Sequence, residues 1–304
     1  MKMEDTAMAP RQYPGKSTNV RADLIWSTLR LFMRALAGLS PNLAAAALRR
    51  LFLHTRRLPT PEREARWLRG AGASVIEVDG EAVATYSWGS GPMVLLVHGW
   101  NGRGSQLGGF AQALVERGFR AVALDLPGHG ASPGRSSSLI EMASAIEAAL
   151  RGIGTPVGIV AHSAGCAATA LALHGSAWEP ALAFISPPED LGYFAVELAR
   201  KLQLPARVHR RARRSIEASF GVRWSELRLP VLAPEMTQPL LVIHDQHDRE
   251  VPYAHGARVA AAWPGASLVS TRGLGHQRIL RDTEVIRRAV DWVTQREFRS
   301  EVAS

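Results

Sequence analysis

The 304-residue sequence predicts an α/β fold: a mostly parallel, doubly wound sheet, preceded by a helical extension and interrupted by a small helical cap. Three observations predict it. Short strand patterns alternate with helix-length segments across residues 74–297. Met93–Val97 is an unbroken apolar run, which suits a strand covered on both faces. Between residues 187 and 239 the alternation stops, and the chain becomes helix-rich and strongly basic. An apolar share of 46% and a charged share of 21% are ordinary for a globular protein, and the chain is long enough to bury a sizeable core.

Residues 1–20 are polar and Pro-containing and are expected to lack regular structure. Residues 21–39 place Ile25, Leu29, Phe32, Leu36 and Leu39 at helical spacing, with Asp23, Arg30 and Arg34 on the other side, which predicts an amphipathic helix. Ser40-Pro41 ends it and caps a second helix over residues 42–54. Both helices are expected to pack on the main domain. An open alternative is peripheral membrane contact through residues 21–53, because Trp26, Phe32 and flanking arginines suit an interface. A short helix over 61–69 completes an extension assigned to residues 1–72.

The α/β domain is assigned to residues 73–304. Residues 74–78 and 82–88 alternate about Asp79-Gly80, a strong hairpin signal. Strands follow at 93–97, 121–125, 157–161, 182–186, 240–244 and 267–271, and helices at 106–117, 139–151, 164–174, 254–263 and 283–296. The cap is placed at about residues 188–238.

Composition excludes several classes. The formal charge is +9, yet only Lys2, Lys16 and Lys201 are lysines, and the arginines read as spread along the whole chain. The densest basic run, residues 207–214, has no zinc-finger, RNP or helix-turn-helix signature beside it, so no nucleic-acid partner is expected. Cys166 stands alone, so no internal disulfide can form. The N-terminus lacks the order of a signal peptide, and no run reaches the length of a transmembrane helix. A cytoplasmic protein is expected, with peripheral membrane contact as its variant.

Four motifs carry chemistry. Ala161-His162-Ser163-Ala164-Gly165 lies between an apolar strand and a small-residue helix. A serine on so tight a strand-to-helix turn projects its hydroxyl above the sheet edge, and the positions two before and two after it must be small. Ser163 is therefore the candidate nucleophile, and the Ala164 N–H a candidate oxyanion donor at a helix N-terminus. Gly130-Ala131-Ser132-Pro133-Gly134 matches G-x-S-x-G literally, but Pro133 has no N–H to offer and no helix starts there, so Ser132 is set aside. His98-Gly99-Trp100 ends the Met93–Val97 strand. Its glycine permits a close turn, Trp100 offers a second oxyanion N–H, and His98 and His129 read as structural.

In the third motif, residues 244–252, a carboxylate at the strand end can orient an imidazole. Metal binding is set aside there because the His-x-His-x-Asp-His order is absent. The fourth, Gly273-Leu274-Gly275-His276, surrounds a histidine with glycines after the last strand, and its place in the chain favours His276 as base.

Together, residues 74–297 resemble the α/β-hydrolase superfamily, in its serine-nucleophile branch of esterases, lipases and thioesterases. That resemblance implies the order serine, acid, histidine. By the His-x-x-x-Asp-x-x-Val-Pro pattern it places the acid at Asp248, with Asp245 and Asp190 as alternatives. The Leu124-to-Gly130 string is typical of the family as a structural turn. Two departures are Ala161 in place of glycine and Cys166 where glycine is frequent, the latter a small packing residue. Serine at the elbow argues against haloalkane dehalogenases and epoxide hydrolases, which use aspartate. The implied activity is hydrolysis of a carboxylic ester, small or lipid-like, through an acyl-enzyme and without a cofactor. Thioester or C–C hydrolysis, acyl transfer and a non-catalytic binding module are its rivals.

Overall fold

A computed structural model describes residues 20–302, with the side chains of residues 23–295. The expectation for residues 1–20 falls almost wholly outside them.

Three helices come first: α1 (Val20–Leu39), α2 (Pro41–Leu53) and α3 (Glu62–Arg69). Ser40 caps α2, its hydroxyl accepting the Leu43 N–H, and Pro41 occupies the first helical position, where its missing N–H costs nothing. The sheet strands are β1 (Gly72–Val78), β2 (Glu81–Trp88), β3 (Met93–Val97), β4 (Arg120–Leu124), β5 (Gly158–His162), β6 (Ala181–Ile185), β7 (Leu240–Asp245) and β8 (Ser267–Thr271). Their spatial order is β1-β2-β4-β3-β5-β6-β7-β8. The β1–β2 and β2–β4 pairs are antiparallel and all other pairs parallel.

Helices α4 (Gly108–Val115), α5 (Leu139–Gly152), α6 (Ala164–Leu173), α10 (Tyr253–Ala262) and α12 (Thr283–Val302) accompany the sheet. Two apolar clusters result, one led by Leu95, Leu124, Ile146 and Phe184, the other by Leu96, Phe110, Ile243 and Val290. Alternate residues of β3 enter opposite clusters, so the run that is apolar at every position is buried on both sides. The helix expected at 106–117 is shorter. A 3-10 turn over Gly104–Leu107 precedes α4, and Gly118, at φ +81°, ends the segment.

Between β6 and β7 the chain leaves the sheet as α7 (Gly192–Lys201), α8 (Ala206–Phe220) and α9 (Leu229–Leu232). A one-turn α11 (Gly275–Arg278) follows β8. Helices α1 and α2 pack not on the sheet but on this insertion: Met33, Ala37, Ala44 and Leu48 share a third cluster with Ala199, Leu202, Val208 and Ala212. Beyond α2 the connection is tied to the α/β part by a His54–Ser136 bridge, by the Thr55 hydroxyl donating to the Gly128 carbonyl and by a buried Arg103–Glu64 ion pair of 2.7 Å.

Candidate active site

The chain reverses sharply where β5 becomes α6. Ser163 sits at the junction with φ 53° and ψ −125°, a conformation that a residue with a side chain adopts only when its surroundings enforce it. The Ser163 N–H donates to the Ile185 carbonyl on the neighbouring strand at 2.9 Å. Closeness of the flanking chain explains the small neighbours. A Cβ on Gly165 would lie 2.4 Å from the His98 carbonyl oxygen, and one on Gly99 would lie 2.8 Å from the Ser163 Cβ. Cys166 is buried behind the turn, and its thiol donates to the Ala161 carbonyl at 3.3 Å. Burial pushes that thiol well above its ordinary pKa.

From the loop after β8, His276 reaches this turn. Its Nε2 accepts from the Ser163 hydroxyl at 3.0 Å, and its Nδ1–H donates to Asp248 Oδ2 at 2.7 Å. The other carboxylate oxygen of Asp248 accepts the Glu250 and Val251 N–H groups, each at 2.9 Å. Burial works against an ionised Asp248. Hydrogen bonds from His244 and His276, with the Val251 N–H, outweigh it and hold the carboxyl far below its ordinary range. An imidazole bridging an ionised carboxylate and a hydroxyl in this order can accept the hydroxyl proton while its cation is stabilised from behind.

The rival acids stand elsewhere. Asp245 accepts from the Leu274 N–H at 3.0 Å, the Thr271 hydroxyl at 2.8 Å and the His247 N–H at 2.9 Å, so it pins the loop that carries His276. Asp190 accepts from the Gly192 N–H at 2.7 Å and starts α7. Ser132 is buried, its hydroxyl donating to the Asp125 carbonyl and accepting the Ala84 N–H. No three His, Cys, Asp or Glu side chains among the described residues converge as a metal site.

Ala164 is the first residue of α6, so its N–H is one that no intrahelical carbonyl takes. Trp100 follows Gly99 beyond β3, and Trp100, Ser163, Ala164 and His276 line one cavity of about 910 Å³. His98 accepts the Leu126 N–H at 3.0 Å and donates to the Gly99 carbonyl, and burial lowers it to about 4. His129 donates to the Pro127 carbonyl, and burial lowers it to about 3.

Two contributors escaped the sequence reading. His162 is buried beneath His276, with ring centres 4.6 Å apart and its Nε2–H donating to the His276 carbonyl at 3.1 Å. Burial, then the proximity of His276, keeps it neutral well below the usual histidine range. Its position before the serine was the available signal. The second is the far wall of the cavity, where Leu51, Phe52 and Leu53 of α2 meet Phe194 and Leu198 of α7 and Ile216 of α8. No motif marks that meeting.

The model of a family described as the alpha/beta hydrolase family matches residues 94–289. Over 45 residues the chain is 51% identical to a pimeloyl-[acyl-carrier protein] methyl ester esterase of Methylococcus capsulatus, which is 15% of this chain and 17% of that one. The chain thus matches only about a sixth of the length of that curated relative. Among solved structures, an esterase of Exiguobacterium antarcticum superposes with a TM-score of 0.58 at 17% identity, over 73% of this chain and 100% of that one. A bacterial membrane phospholipase A superposes with a TM-score of 0.57 at 22% identity, over 91% of this chain and 98% of the other.

Proposed function

Since the chain belongs to the alpha/beta hydrolase family, whose model spans well over half of it, we propose that it is a serine hydrolase that cleaves a carboxylic ester through an acyl-enzyme. The unbroken Asp248–His276–Ser163 chain of hydrogen bonds, opening into a large cavity, carries this reading.

In the proposed cycle His276 takes the Ser163 proton as the hydroxyl oxygen attacks the acyl carbon. The negative oxygen that forms is held by the Ala164 and Trp100 N–H groups, each such donor lowering a barrier by about 3 kcal/mol in comparable sites. Asp248 stays ionised, fixes the His276 tautomer with Nδ1 protonated and stabilises the imidazolium. The proton then passes to the leaving alcohol. Water attacks the acyl-enzyme with His276 again as base, and Ser163 is regenerated.

The apolar wall supplied by Leu51, Phe52, Phe194, Leu198 and Ile216 supports an acyl group of some length as the natural occupant. Arg249 and Arg281 also line the cavity and suit a polar or anionic portion of the substrate.

The test is a fluorophosphonate probe on the protein and on Ser163→Ala, together with p-nitrophenyl esters of graded chain length. Labelling and turnover are expected in the parent and absent from the variant. A folded parent that neither labels nor turns over would overturn the proposal. Labelling without ester turnover would redirect it to thioesters, C–C bonds or acyl transfer.

A further inference from the structure

The helix α1 has two apolar faces, and only one of them is covered. Met33 and Ala37, with Trp26, Leu29 and Leu36 beside them, enter the cluster shared with α7 and α8. Leu24, Ile25, Leu31, Phe32 and Leu39 lie on another side of the helix and are exposed, Leu31 to 73% and Leu39 to 86%. At helical spacing these positions, with Thr28 and Ala35, make one stripe that holds no charged residue between positions 23 and 39. Leu43, in the first turn of α2, is exposed as well.

The same layer gathers the charge of the molecule. Helices α1, α2 and α8 contain ten arginines against Asp23 and Glu217, a formal +8 of the chain's +9. The rest of the chain is nearly balanced. Asn42, beside Leu43, accepts from Arg211 of α8 at 3.0 Å, so the start of α2 meets the arginine-rich helix. Arg207, Arg210 and Arg214 are exposed and form no ion pair among the described residues.

We propose that this layer docks on an anionic lipid bilayer, with the α1 stripe lying among the headgroups and the α8 arginines against lipid phosphates. Charge complementarity selects the occupant. A second copy would set one strongly basic layer against another, and a nucleic acid would satisfy the arginines while leaving the leucines in water. A bilayer surface offers anionic groups above an apolar interior, which is the pairing the layer presents. No helix among the described residues is long and apolar enough to cross a membrane, so α1 would lie along the surface. Docking does not depend on the hydrolase reading. Because α2 also lines the cavity through Leu51 and Phe52, docking would set the cavity beside the lipid.

The test uses the full chain, sedimented with vesicles of phosphatidylcholine alone or mixed with phosphatidylglycerol. Binding to the mixed vesicles should exceed binding to phosphatidylcholine by about tenfold or more and weaken as salt rises. Leu31→Ser/Phe32→Ser/Leu39→Ser should lose binding while keeping the parent's circular dichroism and fluorophosphonate labelling. Arg207→Gln/Arg210→Gln/Arg214→Gln should lose the preference for phosphatidylglycerol. A parent that stays in the supernatant at low salt, or a triple-serine variant that binds like the parent, would overturn the proposal. So would a dimer, seen by light scattering, that the triple-serine variant abolishes, since a second copy would then own the stripe.

Discussion

The C-terminal edge of the sheet and the helical layer above it are built on opposite terms. At the sheet edge the groups that frame Ser163 are held within the protein: Asp248 accepts from His276, Glu250 and Val251, Asp245 from Thr271, Leu274 and His247, His98 is held at both nitrogens, and Ser163 keeps a costly backbone conformation. In the layer of α1, α2 and α8, leucines face outward and Arg207, Arg210 and Arg214 pair with no acid among the described residues. The groups around Ser163 are over-determined, whereas the helical layer leaves apolar and basic side chains open to solvent. Substitutions should therefore act in different ways on the two regions.

The largest expected effect is at the frame. Asp248→Asn keeps the shape but loses the charge that stabilises the His276 cation, and kcat for an ester should fall about 10³- to 10⁴-fold, with a loss of melting temperature beside it because folding favours the ionised carboxyl. Asp245→Asn is its control. This carboxylate pins a loop and touches no reacting group, so the loss should appear in stability, about 1–3 kcal/mol by chemical denaturation, more than in kcat. A drop in kcat as deep as that of Asp248→Asn would give Asp245 the acid's role.

Next comes packing beneath the turn. Gly165→Ala forces a Cβ against the His98 carbonyl and should cost about 1–3 kcal/mol, because backbone on both sides prevents relief. The layer should respond differently. Leu198→Ala enlarges the cavity wall, and its expected outcome is a shift of about tenfold in kcat/KM toward longer p-nitrophenyl esters, with labelling of Ser163 unchanged. Equal loss on all chain lengths would show that the wall does not contact the acyl group.

The smallest effect is acid sensitivity. His98, His129 and His162 have folded-state pKa values below the unfolded value, so unfolding takes up protons and their stabilising contribution is complete only above about pH 6.5. It diminishes as pH falls from there toward about 4 for His98 and about 3 for His129. Asp248 adds loss in the same direction below about pH 4, its carboxyl also being depressed. Melting temperature should fall by several degrees between pH 7 and pH 5, measured by calorimetry, and His129→Asn should flatten that slope. A melting temperature constant over this range would contradict the burial of these imidazoles.

What could be read in the sequence follows the same division. Ser163 was legible because strand, turn and helix are contiguous, so the steric demands on Ala161 and Gly165 are written within five residues. His276 was legible from its glycines and its place in the chain. The preference for Asp248 over Asp245 and Asp190 rested on a family pattern, since all three lie at or after strand ends, and in the fold Asp248 is the one hydrogen-bonded to His276. The cavity wall was not legible, nor was the meeting of residues 21–53 with the basic run at 207–214, because both arise where α2 meets α7 and α8, about 140 residues away in sequence. Arginines that read as scattered along the chain are concentrated by folding, and a net charge says nothing about where it is placed.

Cys166 has a practical consequence. The chain has one thiol, and it is buried behind the Ser163 turn with its pKa raised, so it should ignore maleimides and iodoacetamide in the folded state. A cysteine introduced at an exposed position such as Ser219 would then be the single site of modification, with no need to remove the native one. A spin label or an environment-sensitive dye placed there would report directly on whether α8 leaves water when vesicles are added.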